Sequence, residues 1–319
     1  MTVCTAALFF WNYNPKPEEP PDLGGAIIAA SDRALTDSGL GIGYEGSRFK
    51  GSALATKQLV LVAGDITTHS AILRLLNAEL KPGQTKTTLQ TANMVARLLR
   101  EYRMREAAHV FLAPLNLDEN SFLAQQRTME PTLVMELANQ LQEHKIDAEA
   151  IVVGCDDDKE ANIYRVNGSG VVTCHSDIGF LSIGSGGIHS SAYFMTTSYT
   201  NVTMYYRALY HTFIAKKKAE VDPFVGGYTD MFLINRAGIT KIADGVIKAL
   251  QKIYAANLEQ EKQLPEAAEK QLVEAEKLLF PQPSEPPSEF TQKSGDQAGD
   301  VGKIPKAVRN TRRHCRRNS

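Results

Sequence analysis

The chain has 319 residues, 43% of them hydrophobic and 22% charged. At ~150 residues per domain this length gives about two domains, or one large domain with an extension, and it can bury a sizeable core. Lys+Arg 35 against Asp+Glu 36 leaves a net charge of -1, so no global basic field argues for nucleic acid or an anionic membrane as the main partner.

The chain begins with strand character. Val3 to Tyr13 is rich in small, β-branched and aromatic residues, and Asn12 to Leu23, with Pro15, Pro17, Pro20 and Pro21, reads as a long loop. Gly24-Gly25 opens a second apolar run, Ala26 to Ala30, that ends at Ser31-Asp32-Arg33. A glycine-rich loop, Gly39 to Gly51, separates it from a third run, Leu59 to Ala63, which ends at Gly64-Asp65.

Helical periodicity follows. His69 to Leu80 and Thr87 to Ala108 carry apolar residues at the spacing of an amphipathic helix, and a third helical stretch covers about Met129 to His144. Strands then return at Ala148 to Cys155, in a hairpin through Asn167-Gly168, and at Gly179 to Ile183. One long helix is predicted from about Ile188 to Glu220, then a hairpin over Tyr228 to Ile242, then a helix from about Ala243. Blocks of strands separated by blocks of helix, with no strict βαβ alternation, imply two antiparallel sheets packed with helix layers.

Composition shifts near residue 255. We therefore expect a domain over 1–255 and a charged tail over 256–319. Leu258 to Phe280 is helix-prone, with Pro265 limiting where that helix starts, and the composition beyond Pro281 is that of a disordered tail. Its end is basic, with Lys303, Lys306, Arg309, Arg312, Arg313, Arg316 and Arg317, and reads as a solvated tail.

Cys4, Cys155, Cys174 and Cys315 form no CxxC pair, which fits free thiols in a reducing cytoplasm. The longest apolar runs are far short of the ~20 residues that cross a bilayer. Gly41 to Gly46 has GxGxxG spacing but follows no predicted strand and precedes no helix, so it is not read as a dinucleotide loop. Asp156, Asp157 and Asp158 lack EF-hand spacing and read as a polar turn. With no HExxH among the histidines, neither metal nor cofactor is expected.

Residue 2 carries the sharpest chemistry. Thr2 follows Met1 directly, and a small second residue permits removal of the initiator methionine. A threonine hydroxyl is a poor nucleophile without a base. An α-amine titrates near ~7.7–8.0 and can accept a proton at working pH, so a terminal threonine carries both groups. Cys4 becomes a rival nucleophile only with cleavage after Val3, for which there is no signal.

The order of the surrounding segments resembles an active proteasome β-subunit and its bacterial relatives among the N-terminal nucleophile hydrolases. The resembling pieces are Thr2-Val3, the run Gly25 to Arg33 with Thr36, and Lys50 followed by Val62-Ala63-Gly64. In the second half they are Ser182-Ile183-Gly184-Ser185-Gly186 and Asp222 with Gly226-Gly227 behind it. The likeness covers about Thr2 to Leu250. It implies a four-layer αββα sandwich, two antiparallel sheets between helix layers, followed by a helical then disordered extension.

The resemblance also implies roles. Thr2 would be the nucleophile and its own amine the base. Lys50 would ease the developing charge, and Asp32 would hold Lys50. The Gly64 N–H would donate to the oxyanion, and Ser185 and Asp222 would position Thr2. The implied activity is that of a threonine peptidase acting on peptides or unfolded protein, assembled with copies of itself into a ring or helical stack; an unfoldase partner is left open. The chain departs from the family in four places. The first inter-strand connection and the gap from Asp32 to Lys50 are longer, Leu112 to Ile146 looks like an added helical segment at a subunit contact, and Val225 stands where the family has serine. Two alternatives follow: a catalytically silent subunit of the same fold, and an amidohydrolase for a small metabolite.

Overall fold

A computed structural model describes residues 2–13, 22–37, 42–46, 50–55, 57–79, 86–157 and 160–279. The compact unit spans Met1–Glu261, slightly longer than the domain expected from composition. The Asn14 to Pro21 part of the proline-rich loop, Asp158, Cys315 and the basic tail end lie outside the described residues.

The chain is α+β. One five-stranded antiparallel sheet contains β1 (Cys4–Tyr13), β2 (Asp22–Ser31), β10 (Phe180–Ile183), β11 (Asp230–Asn235) and β12 (Gly238–Lys241), in the order β10-β1-β2-β11-β12. The other contains β5 (Gly51–Ala55), β6 (Gln58–Gly64), β7 (Ala148–Cys155), β8 (Ala161–Val166) and β9 (Val172–Cys174), in chain order. A separate hairpin joins β3 (Ala34–Asp37) to β4 (Ile42–Glu45).

The sequence builds four layers because both faces of each sheet are apolar. Successive strand side chains point to opposite faces. Ala6 and Leu8 of β1, Ile27 and Ala29 of β2, Leu59 and Leu61 of β6, and Ile151 and Val153 of β7 meet between the sheets. Their neighbours Ala7, Phe9, Ile28 and Ala30 turn outward against Phe194, Leu209 and Phe213. These come from α5 (Gly187–Thr196) and α6 (Tyr205–Ala219). Val60, Val62, Ala150 and Val152 turn to the opposite outside, against Ile72, Leu76, Val95 and Leu99, from α1 (Ile66–Glu79) and α2 (Thr88–Phe111). The structure is thus the αββα sandwich expected from the sequence.

Local chemistry marks the ends. Asp156, from the acidic turn, accepts from the backbone N–H of Thr88 at 2.8 Å and from its hydroxyl at 2.7 Å, fixing the start of α2. Asp157 pairs with Lys57. The described part of the GxGxxG segment is β4. A second small cluster, Ala107, Leu112, Phe122, Leu137 and Leu141, packs α3 (Glu119–Gln125) and α4 (Pro131–Glu143) against the end of α2.

Three expectations change. The glycine-rich loop carries β3 and β4 around its first half, and β5 starts at its last glycine, because alternating short runs hidden among glycines still pair. The single helix over Ile188 to Glu220 is two helices. The Thr196 and Thr197 hydroxyls accept no helical role and instead donate to the carbonyl of Tyr193, and Ser198 takes a φ of 51°, which ends α5. Pro265 does not set the start of the last helix: α7 (Asp244–Leu279) runs through it. No described helix is long and apolar enough to cross a membrane.

Candidate active site

Thr2 lies just ahead of β1, at the end of the sandwich where β2 finishes at Ser31 and β6 finishes at Gly64. The register places Cys4 opposite both Ser31 and Ile183, so the ends of three strands converge on the start of the chain. Asp32 follows β2 and Lys50 precedes β5, and the backbone of Lys50 is fastened to Val62 of β6. Residues far apart in sequence therefore meet at one point.

Thr2, Asp32 and Lys50 form a buried network, at 2%, 0% and 2% exposure. The Lys50 ammonium donates to Thr2 Oγ1 and, at 2.7 Å, to Asp32 Oδ1. Thr2 Oγ1 donates to the same carboxylate oxygen. Asp32 Oδ1 also accepts the N–H of Val3 at 3.2 Å, while Oδ2 accepts those of Ala34 at 3.2 Å and Gly226 at 2.9 Å. Five donors on one carboxylate hold it in place, which is what a buried polar group needs. A lysine held this way presents its ammonium to the threonine hydroxyl.

The glycines here are geometric requirements. Gly64 has a φ of 123°, and a Cβ on it would lie 2.1 Å from the backbone oxygen of Asp147. Gly184 has a φ of 85°, and its Cβ would lie 2.2 Å from the backbone oxygen of Thr2. The turn that begins there also sends the Gly186 N–H to the Thr2 carbonyl at 3.3 Å. A hydroxyl chain anchors this turn: Thr5 Oγ1 to Ser182 Oγ at 2.9 Å, and Ser182 Oγ to Ser190 Oγ at 2.8 Å.

Gly64 and Ser185 line one cleft of about 640 Å³, with Asp147, Glu149 and Arg165 on one wall and Ser182, Ile188 and Ser191 on the other. Glu149 and Arg165 are paired at 2.5 Å. Ser185 Oγ is buried without a hydrogen-bond partner. The structure thus brings Thr2, Asp32 and Lys50 into contact, and sets Gly64 and Ser185 on the adjoining cleft.

Asp222, which the resemblance implies positions Thr2, is bonded within its own turn. Its carboxylate accepts the Phe224 N–H at 2.9 Å and its carbonyl accepts that of Val225 at 3.0 Å. A short carboxylate committed to its own turn acts on the site through that turn, which delivers the Gly226 N–H to Asp32. Val225 packs with Val3 and Ala219 in a small apolar cluster.

Two residues near the site escaped the sequence reading. His69 of α1 lies close to Lys50, and burial first and the Lys50 charge second hold its imidazole below the usual value, hence neutral at pH 7. Lys216 of α6 is fully buried and donates to the Gly226 carbonyl at 2.6 Å. Lys216 was hidden in the run Lys216-Lys217-Lys218, which resembles a solvated helix face. Its spacing was the one available signal, because Phe213 and Ala219, three residues to either side of it, are both core residues.

Cys4 is fully buried beside this network, and burial pushes its thiol up to about 12, so it has almost no thiolate at neutral pH. No group of acids, histidines and cysteines suited to a metal ion occurs among the described residues. No protein-family model matches the chain, and no curated protein matches it.

Proposed function

We propose that this protein is an amide hydrolase of the N-terminal nucleophile type, a threonine peptidase resembling proteasome β-subunits, acting once the Met1–Thr2 bond has been cut. The observation that carries this reading is the buried contact of Thr2 Oγ1 with the Lys50 ammonium, itself paired with Asp32. Oγ1 attacks the substrate carbonyl, and its proton passes to the freed α-amine, directly or through water. The Lys50 charge stabilises the alkoxide as it forms, and the Gly64 N–H donates to the oxyanion. Collapse expels the substrate amine, which takes the proton. Water then cleaves the Thr2 ester and restores the hydroxyl. The partnerless Ser185 Oγ supports the reading, because a free amine at Thr2 is a group it can bind.

The substrate class follows by resemblance: peptides or unfolded protein, with copies of this chain as assembly partners and the cytoplasm as the compartment. Val225 favours a second reading, a silent subunit, because its side chain offers no hydrogen bond beside Thr2.

Intact mass and a fluorogenic peptide assay on wild type and Thr2→Ala decide between the two. We expect loss of Met1, turnover in wild type, and background turnover in the variant. An epoxyketone, which needs both hydroxyl and free amine, should add its mass to wild type alone. Equal turnover in the two proteins removes Thr2 from the mechanism. A chain without Met1 that never takes up the probe is the silent subunit. Hydrolysis of small amides with no peptide cleavage makes it a metabolite amidohydrolase.

A further inference from the structure

Lys216 is the buried cation that the mechanism above does not use. It has 0% exposure on α6, where its ammonium donates to Glu220 Oε1 at 2.5 Å and to the Gly226 carbonyl at 2.6 Å. Lys217 shares the same Glu220 oxygen at 2.7 Å. Burial pulls the Lys216 ammonium below its usual range while Glu220 draws it back. An apolar side chain would fill the same volume at less desolvation cost, so a retained buried charge is holding something in place.

What it holds is Gly226. The Gly226 carbonyl belongs to one peptide plane and its N–H to the preceding one, and the two planes meet at a Cα without a side chain. Glycine is the loosest joint in a chain, so both planes need an anchor: Lys216 holds the carbonyl and Asp32 takes the N–H. The oriented N–H is the one that donates to Asp32 Oδ2 at 2.9 Å. The space is tight: a Cβ at 226 would lie 2.6 Å from Glu45 Oε1, the movable end of its side chain, and 3.0 Å from the Ala34 nitrogen. Glu45 closes the far side of the same turn by accepting the Tyr228 N–H at 2.8 Å.

We infer that Lys216 is a positioning residue of the Thr2 site, clamping the 222–228 turn so that Gly226 fixes the Asp32 carboxylate and, through it, Lys50. The inference deepens the threonine-hydrolase reading and rests on it for its catalytic consequence. It also explains how the turn keeps its place with Val225 rather than a hydroxyl residue at its centre: the fastening comes from helix α6 instead.

The test uses full-length Lys216→Met and Glu220→Gln, with Thr2→Ala as background. Peptide turnover and exchange of the Gly226 amide by NMR are measured on each. For Lys216→Met we expect Gly226 exchange to rise by about tenfold or more as the turn opens locally. We expect kcat to fall about tenfold to a hundredfold with KM within about twofold of wild type. Glu220→Gln should move both in the same direction by less, and it decides the matter if Lys216→Met fails to fold. Unchanged Gly226 exchange in a folded variant overturns the inference, and so does a rise in KM at constant kcat. If wild type and Thr2→Ala turn over alike, the threonine reading has failed separately, and Gly226 exchange alone then decides the clamp on Asp32.

Discussion

The two ends of the inter-sheet core are built from the same strands to opposite specifications. At one end β2 and β6 finish in Asp32 and Gly64, and Asp32 is sunk with Lys50 in a hydrogen-bonded network around Thr2. At the other end the sheets close on small residues, with a Cβ at Gly25 falling 2.8 Å from that of Ala161. Each end buries a cysteine with a thiol pushed up to about 12, Cys4 beside the network and Cys155 against the carbonyls of Gly25 and Ile234. The closed end packs small residues, and its polar side chains Gln58 and Asp156 are bonded to Thr91 and Thr88 of α2. The polar end costs desolvation of several polar and charged groups, and that cost is what supports placing the proposed chemistry there.

The sharpest way to break the contrast is to remove one charge from the polar end. Lys50→Met leaves Asp32 buried without its cation, and losing one partner of a buried pair typically costs about 3–5 kcal/mol. Denaturant unfolding should show that loss, with peptide turnover at background. Retained stability would mean that Asp32 was never held as a buried charge.

Gly64→Ala tests the backbone rather than the charges. The added methyl meets the Asp147 carbonyl at a φ that alanine rarely adopts, so the strand end must shift and carry its N–H away from the oxyanion position proposed above. Loss of one such donor typically lowers kcat by about 10²–10³. Gly25→Ala is the matching change at the closed end. Overpacking there should cost about 1–3 kcal/mol in unfolding free energy while kcat per folded molecule stays as in wild type. Equal losses of activity from both glycines would erase the distinction between the ends.

How much of this was legible in the sequence depends on how local the cause is. Apolar runs such as Ala26 to Ala30 and Leu59 to Ala63 announced buried strands, since both faces of each are covered. Thr2, Asp32, Lys50, Gly64 and Ser185 were readable as an ordered set. Their contacts span up to 194 residues of chain, so composition and periodicity could not supply them. The β3–β4 hairpin was lost among glycines, and the break between α5 and α6 lay in a run of hydroxyl residues whose effect depends on which carbonyl each one reaches. Asp222 kept its place in the order, but its carboxylate is spent on its own turn. Lys216 was invisible, because burial of one lysine in a run of three is decided by the helix face it falls on.

The cysteines provide the mildest comparison, with no change expected in activity or in stability at pH 7. In a Cys315→Ser background, exposed Cys174 should react with a thiol reagent at pH 8 within the mixing time of a slow assay, while Cys4 and Cys155 stay silent until the chain unfolds. Burial raises both thiols from 9.0 to about 12, so the folded state favours the protonated form. That contribution to stability is complete below pH 9 and is lost as the pH climbs from 9 toward 12, where the unfolded chain has already released its protons. Melting points should therefore hold level through neutral pH and fall in that alkaline window. Rapid labelling of Cys4 in folded protein at pH 8 would show the polar end to be loosely closed, and the network around Thr2 would then be wet rather than buried.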